Sequence, residues 1–128
     1  MMISQDGVLD RGSVAVVVPA YNRAQFTPDE EISFRHLEHV LGRYDKFLAV
    51  PRSLEIERPG YQIQRFDDGY FGSAIANGKL MLSPAFYESF RKYRYILIYQ
   101  LDALVFSDQL LEWCATDVDY IGAPWVQC

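Results

Sequence analysis

Apolar residues arrive in short blocks along the chain, and the period within each block predicts its element. "VAVVVP" (Val14 to Pro19) is a continuous β-branched run closed by proline, the pattern of a strand covered on both faces in a parallel sheet. "KFLAVP" (Lys46 to Pro51) repeats that pattern. "YQIQRF" (Tyr61 to Phe66) alternates instead, which predicts a shorter strand nearer a sheet edge. "YRYILIYQ" (Tyr93 to Gln100) is the strongest strand pattern, and "VDYIGAPW" (Val118 to Trp125) predicts a last strand running out into a loop.

Helical periods fill the gaps. Thr27, Pro28 and Glu30 form an N-cap, a proline at the first helical position and an acid three residues after the cap. Phe34, Leu37, Val40, Leu41 and Tyr44 then share one face, and Gly42 supplies a stop. "SAIANGKLML" (Ser73 to Leu82) and "SPAFYESFRKY" (Ser83 to Tyr93) predict two consecutive helices, the second capped by Ser83 with Pro84 next. "SDQLLEWC" (Ser107 to Cys114) predicts a fourth helix. This alternation predicts an α/β fold, a three-layer α/β/α sandwich on a mostly parallel sheet. Residues 1–12 have no sustained period and predict a mobile lead-in, leaving 13–128 as one domain.

Composition narrows the function. The 128 residues suit a single domain, and half are apolar, enough for a core. Twelve basic residues face seventeen acidic ones for a net charge of -5, with no basic block, so a phosphate-backbone grip on nucleic acid is excluded. A phosphate-bearing ligand then calls for a metal ion. Cys114 and Cys128 have no C-x-x-C spacing, so neither a zinc site nor a disulfide framework is indicated, and the reading is a reducing, cytoplasmic compartment. "VAVVVPA" follows Asp6 and Asp10 rather than a basic start and is too short to span a bilayer, so neither a signal peptide nor a transmembrane segment is expected.

Ligands of parallel sheets gather at the carboxyl ends of the strands. That rule brings Tyr21, Asn22, Asp67, Asp68 and Asp102 to one edge. Asp102 is the only carboxylate in the twelve residues "YILIYQLDALVF". Carried inward without a partner it would cost several kcal/mol, which leaves two roles, a cation ligand or a cap on the turn after its strand. Neither G-x-G-x-x-G nor G-x-x-x-x-G-K-[ST] is present. A strand-end carboxylate on Mn²⁺ or Mg²⁺, with the ion bridging two phosphates, is another way to hold a nucleotide, and it suits Asp102. Tyr21 and Asn22 are nucleoside contacts or ordinary loop residues, and Asp67 and Asp68 recognise base or ribose or form a solvated turn with Gly69. Asn77 and Lys79 share a short helix on which Lys79 either reaches a diphosphate or stays in solvent. Asp119 is a candidate catalytic base or a solvated strand start. His36 and His39 flank the apolar stripe with no third ligand near, so they read as a solvated helix face.

Several of these stretches resemble a known group. "VVVPAYN" resembles the opening strand and nucleoside-contacting loop of family 2 type glycosyltransferases of the Rossmann-like GT-A fold. "GSAIANG" (Gly72 to Gly78) is similar to their small-residue helix, usually G-x-x-x-A-R-N, and "QLD" (Gln100 to Asp102) stands where their D-x-D motif stands. "FDDGYFGSAIANGKLMLSPAFYESF", "YILIYQLDALVF" and "DYIGAPW" together resemble a bacterial domain family of unknown function described as glycosyltransferase-like. The resemblance covers roughly residues 14–128. It implies a metal-assisted transferase acting on a nucleotide-diphosphate sugar, with Tyr21, Asn22, Asp67, Asp68, Asn77, Lys79 and Gln100 toward the donor, Asp102 on the metal, and an unidentified acceptor. The chain departs from the pattern at Gln100, where the first acid of D-x-D stands, and at Ala76, where the arginine stands. The apolar end "GAPWVQC" suggests the donor-binding half of a longer protein, completed by a C-terminal domain or a partner chain. A non-catalytic binding module and a fragment that docks on a partner are the rival readings.

Overall fold

The Val14–Pro19 run forms a strand, β1, buried along its whole length. β-Branched side chains suit a strand covered on both faces, and alternate residues of β1 serve two separate cores. Val14, Val16 and Val18 pack toward Phe34, Leu37 and Leu41, while Ala15 and Val17 pack toward Leu80, Phe86 and Phe90. The computed structural model describes residues 11–20 and 23–116. Of the expected lead-in over residues 1–12, residues 1–10 lie outside the described residues and Arg11–Ser13 form a single 3-10 turn into β1; the last strand, Val118 to Trp125, lies outside them too, as do Tyr21, Asn22 and Asp119.

After β1 come α1 (Pro28–Val40), β2 (Asp45–Pro51), β3 (Tyr61–Phe66), α2 (Ala74–Met81), α3 (Pro84–Glu88), β4 (Tyr95–Ile98) and α4 (Leu110–Cys114). The described residues build a four-stranded, all-parallel sheet in the order β3-β2-β1-β4. Helix α1, with Cys114 of α4, covers one face, and α2 and α3 cover the other. This is a three-layer, Rossmann-like α/β fold. Among the described residues no helix is long and apolar enough to cross a membrane.

Helix α1 starts where its sequence predicts. The Thr27 hydroxyl accepts the Glu30 amide at 3.2 Å, and the Glu30 carboxylate accepts the Thr27 amide at 2.8 Å, a reciprocal cap. Three elements are shorter than their patterns suggest. α3 stops at Glu88 instead of running to Tyr93, and tight turns follow, with the Phe90, Arg91 and Tyr93 amides each donating three residues back. Those turns leave Phe90 and Tyr93 in the core beside Phe47. α4 starts at Leu110 rather than Ser107, because Asp108 is held by the Tyr44 hydroxyl at 2.7 Å.

β4 ends at Ile98, which answers the question that Asp102 raised. Tyr99 still donates its amide to Val17, but Ala103 then donates to Gln100, closing a turn. Asp102 lies in that turn and is exposed. It sits beyond the strand, so this carboxylate is not buried and bears no burial cost. Among the described residues β4 pairs with β1 alone and forms a sheet edge.

Candidate functional site

The strand order places a site before any side chain is considered. β1 leads through α1 to β2 on one side, while the chain after β3 crosses back through α2 and α3 to β4 on the other. The order therefore reverses between β1 and β4, the position where ligands of open parallel sheets bind. A cavity of about 640 Å³ lies there. Ala20, just past β1, and Gln100, just past β4, line it together with Arg23, Phe71 and Asn77.

Helix α2 forms one wall. Gly72 and Ser73 lead into it, and the Ser73 hydroxyl caps it by accepting the Ala76 amide at 3.0 Å. Gly72 has φ +120, a backbone conformation that a side chain would strain. Asn77 and Gly78 follow one turn later on the same wall. Asn77 and Gln100, both expected toward the donor, thus share one cavity. Lys79, on the same helix, is exposed and does not line it.

A second cleft, of about 550 Å³, begins on the far side of Arg23. Asp29, Glu30 and Asp102 line it along with Ile32, Ser33 and Leu104. The Asp102 turn is tied down from the α1 side. The Ser33 hydroxyl donates to Ala103 O at 2.6 Å, and the buried Tyr99 hydroxyl donates to Ser33 O and Ala103 O, each at 3.1 Å. His36 Nδ1 lies 3.2 Å from Val105 O. His36 is therefore a loop anchor and not part of a solvated face, whereas His39 is exposed as expected.

Arg23 separates the two spaces, and no motif in the sequence marked it. Its Nη1 lies 2.9 Å from Glu30 Oε1, and its Nη2 donates to Glu30 Oε2 at 3.1 Å. Burial raises the Glu30 pKa, but the Thr27 amide and the Arg23 guanidinium outweigh it and hold the carboxyl below its ordinary range. A single arginine in a loop carries no spacing signal.

Asp67 and Asp68 fall elsewhere along the edge. Asp68 Oδ1 accepts the Ser53 amide at 3.1 Å, and Asp67 pairs with Arg52 at 3.4 Å across exposed surface. Hydrogen bonds from Ser53, first its side chain and then its amide, hold the Asp68 carboxyl low. The two acids therefore lock the loop after β2 to the end of β3. Asp68 lines a separate cavity of about 400 Å³ with Ser53 and Leu54, which meets the main one at Phe71.

Among the described residues no group of three His, Cys, Asp or Glu side chains could hold a metal ion. Asp102 shares its cleft with the exposed Asp29, and Glu30 is committed to Arg23. Mg²⁺ and its relatives bind through one or two carboxylates when substrate phosphates complete the shell. Among the described residues the protein alone therefore supplies no complete metal site.

The family described as "Protein of unknown function (DUF5672)" matches residues 60–128, more than half of the chain. The chain belongs to that family. No curated protein and no solved structure matches it. The DUF5672 segment runs from the start of β3 through the α2 wall to Gln100 and Asp102, whereas β1, Ala20 and Arg23 precede it.

Proposed function

We propose that the protein binds a nucleotide-diphosphate sugar at the carboxyl edge of its sheet and transfers the sugar to an acceptor. The observation that supports this most is the main cavity at the β1/β4 switch point, where Arg23, Ser73, Asn77 and Gln100 present cationic and neutral polar groups and, among the described lining residues, no carboxylate. Such a lining suits a ligand that brings its own negative charge. Asp102, one cleft away, is the candidate residue for a Mn²⁺ or Mg²⁺ entering with the donor, an ion whose chemistry is to stabilise the departing diphosphate. Asn77 and Gln100 orient the donor through hydrogen bonds, and the second cleft is open to an acceptor. The smaller reading is a binding module without turnover, favoured by Gln100, which lines the cavity where the resembled motif has an acid.

The test is thermal unfolding of the protein against a panel of nucleoside diphosphates, with and without Mn²⁺, followed by an assay for nucleoside diphosphate released from the matching sugar donor. A ligand at one hundred times its Kd adds about 2.7 kcal/mol of stability, a clear shift in midpoint. Stabilisation with release supports the transferase, and stabilisation without release leaves the binding module. No shift from any member of the panel defeats both.

A further inference from the structure

One side chain stands between the two spaces at the sheet edge. Arg23 lines the main cavity with Asn77 and Gln100, and it lines the second cleft with Asp29 and Asp102. Among the described residues lining the main cavity it alone bears a charge. The guanidinium is fixed: besides its two contacts with Glu30, its Nη1 donates to Gln25 O at 2.9 Å. Glu30 is fixed as well, with only 10% of its side chain exposed and its Oε1 accepting the Thr27 amide. An anion entering the cavity thus meets a cation already held in place, and little side-chain freedom is lost on binding.

The same pairing has a second effect. A carboxylate within 3 Å of the guanidinium offsets its charge and repels any anion that shares it. We propose that Arg23 is the anion-contact residue of the main cavity and that Glu30 attenuates it, setting the affinity for a diphosphate below that of an unopposed arginine. The choice of diphosphate as the ligand rests on the function proposed above.

Inorganic pyrophosphate, which has neither base nor sugar, is the probe, titrated calorimetrically at low salt without divalent metal. Arg23→Ala weakens its binding at least about tenfold. Glu30→Gln strengthens binding, by about fivefold for one charge removed some 6 Å away in a solvent-exposed site. Glutamine keeps a carbonyl oxygen for the Thr27 amide but loses the charge that Arg23 stabilises, so at neutral pH the variant stays folded with an unfolding midpoint modestly below that of the wild type. Arg23→Ala alone leaves the Glu30 carboxylate without this partner. The double variant Arg23→Ala/Glu30→Gln removes that charge too, and it also loses binding. Wild-type protein that ignores pyrophosphate, an Arg23→Ala variant that binds it normally, or a Glu30→Gln variant that binds no tighter overturns the proposal. If pyrophosphate binding follows these expectations while no nucleotide sugar is bound, the transferase reading falls and the anion site stands.

Discussion

Asp102 and Gly42 show how differently single residues can matter in this fold. Asp102 is exposed in a turn, so Asp102→Asn leaves the unfolding midpoint within about 0.5 kcal/mol of wild type. If it holds the incoming cation, Mn²⁺-dependent nucleotide affinity falls about tenfold in the same protein. A fall in stability with unchanged binding would instead mark it as a turn cap. Gly42 has no role in chemistry, yet a Cβ there would lie 2.3 Å from the Glu38 carbonyl oxygen, so Gly42→Ala is expected to cost about 2 kcal/mol in urea unfolding. Glu30 gives a pH signature. Its folded pKa is depressed, so its stabilisation is complete above the ordinary carboxylate value of 4.5 and is lost as pH falls through the lowered folded value. Denaturant midpoints of wild type therefore drop across that acid range, and those of Glu30→Gln drop less. Glu30 was legible in the sequence as a helix cap. Its hold on Arg23 was not, because that contact depends on how the β1 loop returns to α1.

Between elements, half-buried arginines do much of the fastening. Arg58, in the loop before β3, stacks 3.8 Å from the Phe34 ring and pairs with Glu31 and Glu38 at 3.1 and 3.2 Å. It joins α1 to the sheet margin, and Arg58→Ala is expected to lower stability by about 2 kcal/mol, since it removes packing and leaves two carboxylates without this partner. Chemical denaturation of that variant checks the figure. Arg65, on β3, donates to Pro51 O, Arg52 O and Leu54 O, which fixes the loop after β2. Elements bounded by local chemistry were the readable ones. α1 begins at a capping box, and β3 spans Tyr61–Phe66 as its alternation implies. α3 and β4 ended earlier than their patterns, and the residues that follow reach distant partners, Phe47 for Phe90 after α3 and Val17 for the last backbone bond of β4. No local pattern carries such partners.

Across the whole molecule, alternation of strand and helix was enough to give the layers and the parallel sheet, and the rule about carboxyl ends gave the edge where the site lies. Sequence grouped Asp67 and Asp68 with Asp102, but β3 and β4 lie at opposite margins of the described sheet, so the acids fall in different clefts. The strand order has a further consequence, for biosynthesis. β1 leaves the ribosome before its neighbours on the two sides, which arrive at very different times: β2 follows directly, whereas β4 comes only at Tyr95. Until then one margin of an entirely apolar strand has no partner from β4, the kind of edge that recruits other chains. A nascent chain stalled before Tyr95 is accordingly expected to aggregate, whereas one stalled after Ile98, with β4 able to seal that margin, stays soluble.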